Sequence, residues 1–112
     1  MNCYLDYQLM FLILDGINNN KKNENLITFL IEANPYIWEG ECSADSAVYE
    51  DFSKKYNQYE NHSDYSYDFI LDYLNNIEYY KGLYEAITSI TKDKYLECCK
   101  DILTNNDDLL KK

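Results

Sequence analysis

The sequence predicts an all-α fold, one domain built as a bundle of about five to six short helices. Three observations carry that expectation. Apolar residues recur at three- and four-residue spacing over most of the 112 positions, which brings side chains onto one face of a helix. No stretch alternates apolar and polar residues as a half-buried strand would. Three glycines and one proline are too few for the many turns of an all-β chain. A chain of this length does not support two independent cores, so a single domain over 1–112 is expected.

The first helix is expected over residues 3–15, with Leu5, Leu9 and Leu12 on one side and Gly16 as its stop. Residues 17–22 then read as a polar loop. Asn23 is a suitable N-cap for a second helix over 24–33, with Leu26, Phe29, Leu30 and Ala33 facing inward. Pro35 ends it, because a proline disfavours helical backbone at the residue before it. Residues 35–45 lack helical periodicity and make the longest connection, both aromatic and acidic. A small strand pair around Tyr36–Trp38 is the one β element considered.

Asp45 or Ser46 caps a third helix reaching about Tyr59. Its Val48, Tyr49, Phe52, Tyr56 and Tyr59 share one face, and Glu50 and Asp51 precede Lys54 and Lys55 by four residues. A fourth helix is expected from about Asp64 to Asn76, a fifth from Ile77 to Ile90 and a sixth from Thr91 to Thr104. Leu83, Tyr84, Ile87, Tyr95, Cys99 and Ile102 form the inward faces of the last two. The tail from 105 to 112 is expected to fray.

Charge is the most uneven property of the chain. Twenty acidic residues stand against ten basic ones, for a formal net charge of −10, and every basic residue is a lysine. Residues 1–38 carry a net −2, residues 79–112 a net of zero, and residues 39–78 a net −8 from ten acids and two lysines. On the expected fourth helix Asp64, Asp68 and Asp72 are spaced by four, a carboxylate ridge with no lysine between them. A second ridge, Tyr65, Phe69 and Tyr73, runs beside it, while Tyr67, Ile70, Leu74 and Ile77 form the natural core stripe. Like charges one turn apart destabilise a helix by roughly 0.2–0.5 kcal/mol each. Phe69 is divided between core and edge; Tyr65 and Tyr73 are expected to be exposed, since tyrosine tolerates a wet edge and is enriched at interfaces.

This balance argues against direct nucleic-acid binding, which needs clustered cations, and against an anionic membrane surface. The first six residues carry no basic run, and the apolar run Leu9–Leu14 is too short for a signal core or a membrane span. A cytoplasmic protein with no membrane partner is therefore expected. Cys3, Cys42, Cys98 and Cys99 read as buried free thiols in that setting.

Motifs that carry chemistry are few. His62 lies in the polar segment Glu60-Asn61-His62-Ser63-Asp64 and reads as an exposed loop histidine. No Cys-x-x-Cys pair or calcium-loop pattern occurs, and the three scattered glycines form no phosphate loop. The expectation is no metal, no cofactor and no enzymatic activity.

The segment 34–52, NPYIWEGECSADSAVYEDF, resembles part of the small bacterial immunity proteins that neutralise polymorphic toxins, including those of contact-dependent growth inhibition. The resemblance covers about a sixth of the chain; length, acidity and richness in Asn and Tyr fit the class elsewhere. It implies tight binding to a cognate toxin domain with a basic surface, such as a nuclease, by stoichiometric occlusion. The residues read as the partner-binding face are Trp38, Glu39, Glu41, Asp45, Asp64, Tyr65, Asp68, Asp72 and Tyr73. The alternatives are a phage-type nucleic-acid mimic, such as an anti-restriction or anti-CRISPR protein, and a helical adaptor or regulatory module.

Overall fold

A computed structural model of the chain describes residues 2–105 and 107–110. Its described residues form an all-α bundle: α1 (Cys3–Asn20), α2 (Glu24–Ala33), α3 (Ser46–Gln58), α4 (Tyr67–Asn76), α5 (Leu83–Ile87) and α6 (Lys92–Asn105), with a terminal turn α7 (Asp107–Leu110). No strand occurs among them, so residues 36–38 are loop. Of the expected frayed tail, Asn106, Lys111 and Lys112 lie outside the described residues.

α1 is the hub. It packs against α2, α3, α5 and α6, and its buried residues (Tyr4, Asp6, Tyr7 through Phe11, Ile13 and Leu14) occupy every side. A helix that is apolar nearly all round belongs in the middle of a bundle. The expected Leu5–Leu9–Leu12 stripe is therefore wrong as the core face: Leu9 is fully buried, but Leu5 and Leu12 are half-buried edges. Gly16 does not stop the helix, which runs four residues farther to Asn20. Glycine ends a helix by adopting left-handed backbone, and Gly16 is not among the positive-φ residues.

α2 follows its expected bounds. Asn23 Oδ1 accepts the Asn25 N–H at 3.0 Å, and Leu26, Phe29, Leu30 and Ala33 are buried. The segment 34–45 folds back on its C-terminus: the Asp45 N–H donates to the Glu32 carbonyl at 2.9 Å and the Ala44 N–H to Asn34 at 2.8 Å. Carbonyls that a helix end would leave open are thereby satisfied. The Tyr4 hydroxyl donates into the same loop, to the Pro35 carbonyl at 3.1 Å.

Asp45 caps α3, its side chain accepting the Ala47 N–H at 3.1 Å. Val48, Phe52 and Tyr56 are buried, with Tyr49 and Tyr59 half-buried beside them. Asp51 and Lys55 form the expected i, i+4 ion pair at 3.1 Å.

The second half departs from expectation twice. Asp64–Ser66 form a 3-10 turn in which Tyr65 (φ 52°) and Ser66 (φ 56°) both take left-handed backbone, and α4 begins only at Tyr67. Two such non-glycine residues are strained, and buried Ser66 is held by donating to Asp6 Oδ2 at 2.7 Å. The expected fifth helix shrinks to Leu83–Ile87, because Ile77 is extended (ψ 122°) and Gly82 is left-handed (φ 76°). Residues 77–82 form a loop instead. α6 closes the bundle with Tyr95 and Cys99 buried, while Tyr84 is 37% exposed rather than inward.

Candidate functional site: an acidic groove

α4 buries Tyr67, Phe69, Ile70, Tyr73 and Leu74, an arc wide enough to take in Phe69 and Tyr73 of the expected aromatic ridge. Phe69 packs against the rings of Phe52 and Tyr59, each 5.2 Å between centroids, and Tyr73 lies 5.0 Å from Phe52. Tyr73 is 2% exposed, which corrects its reading as a partner-binding residue. Tyr65 is half-buried against the core. The acidic ridge is also broken. Asp68 and Asp72 remain one turn apart on α4 and exposed, but Asp64 lies before the left-handed pair and off the helix.

The acids instead surround a groove of about 870 Å³ between α2, α3, the C-terminal end of α4 and the 77–82 loop. Glu32 comes from α2, Asp45 and Asp51 from the start and middle of α3, and Glu78 from the loop. Tyr73, Asn76, Tyr79 and Tyr80 line it as well. Against these four carboxylates stands one ammonium, Lys55, already paired with Asp51. A smaller hollow of about 280 Å³ shares Lys55, Tyr73 and Asn76 with the first and extends to Asp72.

Two tyrosines set the floor. The Tyr80 hydroxyl donates to Glu32 Oε2 and its ring meets Phe29 edge-on at 5.1 Å, so the loop is tied across to α2. Burial, then the Glu32 hydrogen bond and charge, push the Tyr80 phenol above its ordinary value. Tyr73 is raised too, first by burial and then by Asp51 and Tyr80. Its buried hydroxyl has no hydrogen-bond partner among the described residues. At the rim Tyr79 is 91% exposed.

Of the residues read from sequence, the structure brings Asp45, Asp72 and Tyr73 to this groove system. Trp38, Glu39 and Glu41 are exposed on the 34–45 loop outside it, the Trp38 indole donating to the Ala44 carbonyl at 3.2 Å. Asp64, Tyr65 and Asp68 do not line it either. The sequence patterns do not point to Glu32, Glu78, Tyr79 or Tyr80, the last three because the periodicity predicts a helix across 77–82. The available signal was Gly82 directly after Tyr79-Tyr80-Lys81, a residue suited to left-handed backbone.

His62 is not an exposed loop histidine. It is half-buried, stacked on Tyr56 at 4.1 Å, with Nε2 3.0 Å from the Tyr56 carbonyl. All four cysteines are unpaired, but only Cys99 is fully buried. Among the described residues, no three His, Cys, Asp or Glu side chains are grouped so as to hold a metal ion. Nor is any helix among them long and apolar enough to cross a membrane. No family model, curated protein or solved structure matches the chain.

Proposed function

We propose that the chain is a stoichiometric inhibitor of the immunity-protein kind, which binds a toxin domain through an acidic face and covers the toxin's working surface. One observation carries this reading: a groove of about 870 Å³ is lined by four carboxylates and one ammonium. Carboxylates in a concave, partly apolar setting attract a basic partner and hold its cations in register. The resemblance of residues 34–52 to immunity proteins supports the same role. A standard interface takes about 800 Å² from each partner, against a total surface of 6735 Å² here.

The test is a pair of genes. A toxin domain encoded beside this chain is expressed alone and with it. The expected outcome is growth arrest alone, rescue on co-expression, and a one-to-one complex whose affinity falls as salt rises. No rescue and no complex would overturn the proposal. Competition by DNA or RNA for the toxin's site would separate occlusion of a nuclease active site from binding elsewhere.

A further inference from the structure

We infer that the outer face of α2 and the 34–45 loop beside it form a docking surface for a protein that carries an apolar pocket ringed by lysine or arginine. This surface lies outside the acidic groove, so the inference goes beyond the proposed function. α2 buries Leu26, Phe29, Leu30 and Ala33 on one side. Ile27 and Ile31, one turn apart and turned away from that side, are exposed, Ile31 by 65%. A surface helix ordinarily keeps such a face polar. Ile37 and Trp38 follow on the loop, 55% and 60% exposed. These four are most of the large hydrophobic side chains left exposed among the described residues, and they fall within residues 27–38.

The loop that carries Trp38 is firmly tied down. The Tyr4 hydroxyl donates to the Pro35 carbonyl at 3.1 Å, Asn34 Oδ1 accepts the Tyr36 N–H at 2.8 Å, and the Tyr36 ring meets that of Phe11 at 6.1 Å. The Trp38 indole donates to the Ala44 carbonyl, and Ala44 is itself bonded to Asn34 at the end of α2. The two apolar side chains are thus presented in place, which lowers the entropy lost on binding. Tryptophan is among the residues that most often carry binding energy. Charge names the occupant. From Asn23 to Ser53 the chain has seven acids and no lysine. Glu39 and Glu41, just after Trp38, are exposed and form no ion pair among the described residues. An apolar centre with a polar rim is the anatomy of a protein interface, and this rim has one sign. A second copy would set like charges against each other, and an anionic membrane would be repelled. A partner with a basic rim meets neither penalty.

Trp38 is the chain's single tryptophan, so its fluorescence reports on this surface alone. The full chain is titrated with a helical peptide bearing leucines on one face and lysines on the other, and with glutamate-for-lysine and serine-for-leucine counterparts. The lysine–leucine peptide should shift Trp38 emission to shorter wavelength, saturate at one to one and bind more weakly as salt rises. Each counterpart should bind about tenfold more weakly. Ile37→Ser, at an exposed side chain, and the Glu39→Gln, Glu41→Gln double variant should each weaken binding roughly tenfold. Asp72→Asn, Glu78→Gln makes the same charge change at the acidic groove and should leave binding unchanged. No shift with the lysine–leucine peptide, an equal shift with either counterpart, or equal losses from the two charge variants would each overturn the inference. So would a shift on neutral phosphatidylcholine vesicles, or a dimer in sedimentation that Ile37→Ser abolishes. The toxin co-expression test is read separately. A Trp38 shift without rescue keeps the docking surface and rejects the proposed function; rescue without a shift does the reverse.

Discussion

The hydroxyls of Tyr56 and Ser66 converge on one carboxylate oxygen of Asp6, each at 2.7 Å, inside the core. The three residues come from α1, α3 and the turn before α4, so the cluster locks together segments 50 and 60 residues apart. It also holds the left-handed backbone at Ser66 in place. Asp6→Ala removes the acceptor that the two hydroxyls share, leaving the Ser66 hydroxyl to donate to that of Tyr56 at 3.2 Å, and should cost about 1–3 kcal/mol by denaturant unfolding. A loss under about 0.5 kcal/mol would mean water or a rearranged turn replaces the carboxylate. Cys99 makes a second residue-scale case. Burial, with Asp6 nearby, pushes its thiol up to about 12, so the nucleophilic thiolate is scarce at neutral pH. In a timed alkylation read by mass spectrometry, Cys99 should be the last of the four cysteines to react. The burial of Cys99 is legible from its place on the inward face of the last long helix; the Asp6 cluster is not legible along the chain. Asp6 is flanked by apolar residues that suggest only a helix edge, and its partners are distant in sequence.

At the scale of elements, the two glycines that bear on helix ends have opposite roles. Gly16 sits inside α1 in helical backbone, and a Cβ there would meet nothing within 4 Å. Gly16→Ala should therefore stabilise the protein by about 0.5–1 kcal/mol, through lower chain entropy when unfolded and better helix propensity. Gly82 has φ +76°, and a Cβ would come within 3.3 Å of the Asn25 Cβ. Gly82→Ala should destabilise by about 1–2 kcal/mol and loosen the 77–82 loop. Thermal unfolding of the two variants beside the parent checks both signs at once. α2 was readable because its signals are local: a capping Asn23, one apolar stripe and Pro35 beyond. α4 was not, because the left-handed pair at Tyr65 and Ser66 is stabilised from outside the helix. Phe69 and Tyr73 turn inward along with Tyr67, Ile70 and Leu74 because α3, α5 and α6 pack around it.

The whole molecule carries its tyrosines mostly inside. Burial first, with nearby charges after it and against hydrogen bonds that lower them, pushes the phenols of Tyr4, Tyr36 and Tyr56 up to about 12. Tyr7, Tyr49, Tyr73, Tyr80 and Tyr95 are raised as well. The ordinary phenol value is about 10. Between about 10 and 12 the unfolded chain loses these protons while the native chain keeps them, so the native state binds more protons and stability falls as pH rises. Each such tyrosine contributes a slope of about 1.4 kcal/mol per pH unit, and several act together. The expected outcome is no tyrosine-linked change from neutrality to about pH 9 and a cooperative alkaline unfolding above about 10. Phenolate absorbance and loss of helical circular dichroism should move together in that transition. Phenolate forming while the helices persist would show that the rings ionise in place.

The sequence by itself determined the helical class, α2 and α6 nearly to the residue, the choice of Asp45 or Ser46 as the α3 cap and the concentration of charge between residues 39 and 78. Those properties follow from periodicity, capping chemistry and composition, which act over a few residues. Only the tertiary structure decided that α1 is the buried hub, that Tyr73 is core, and that Glu32 and Glu78 join Asp45 and Asp51 around one groove. Helical spacing fixes which side chains share a face; which faces are covered depends on neighbours brought in from far along the chain. The excess charge was therefore visible from the start, but its concave arrangement depends on how α2, α3, α4 and one loop pack together.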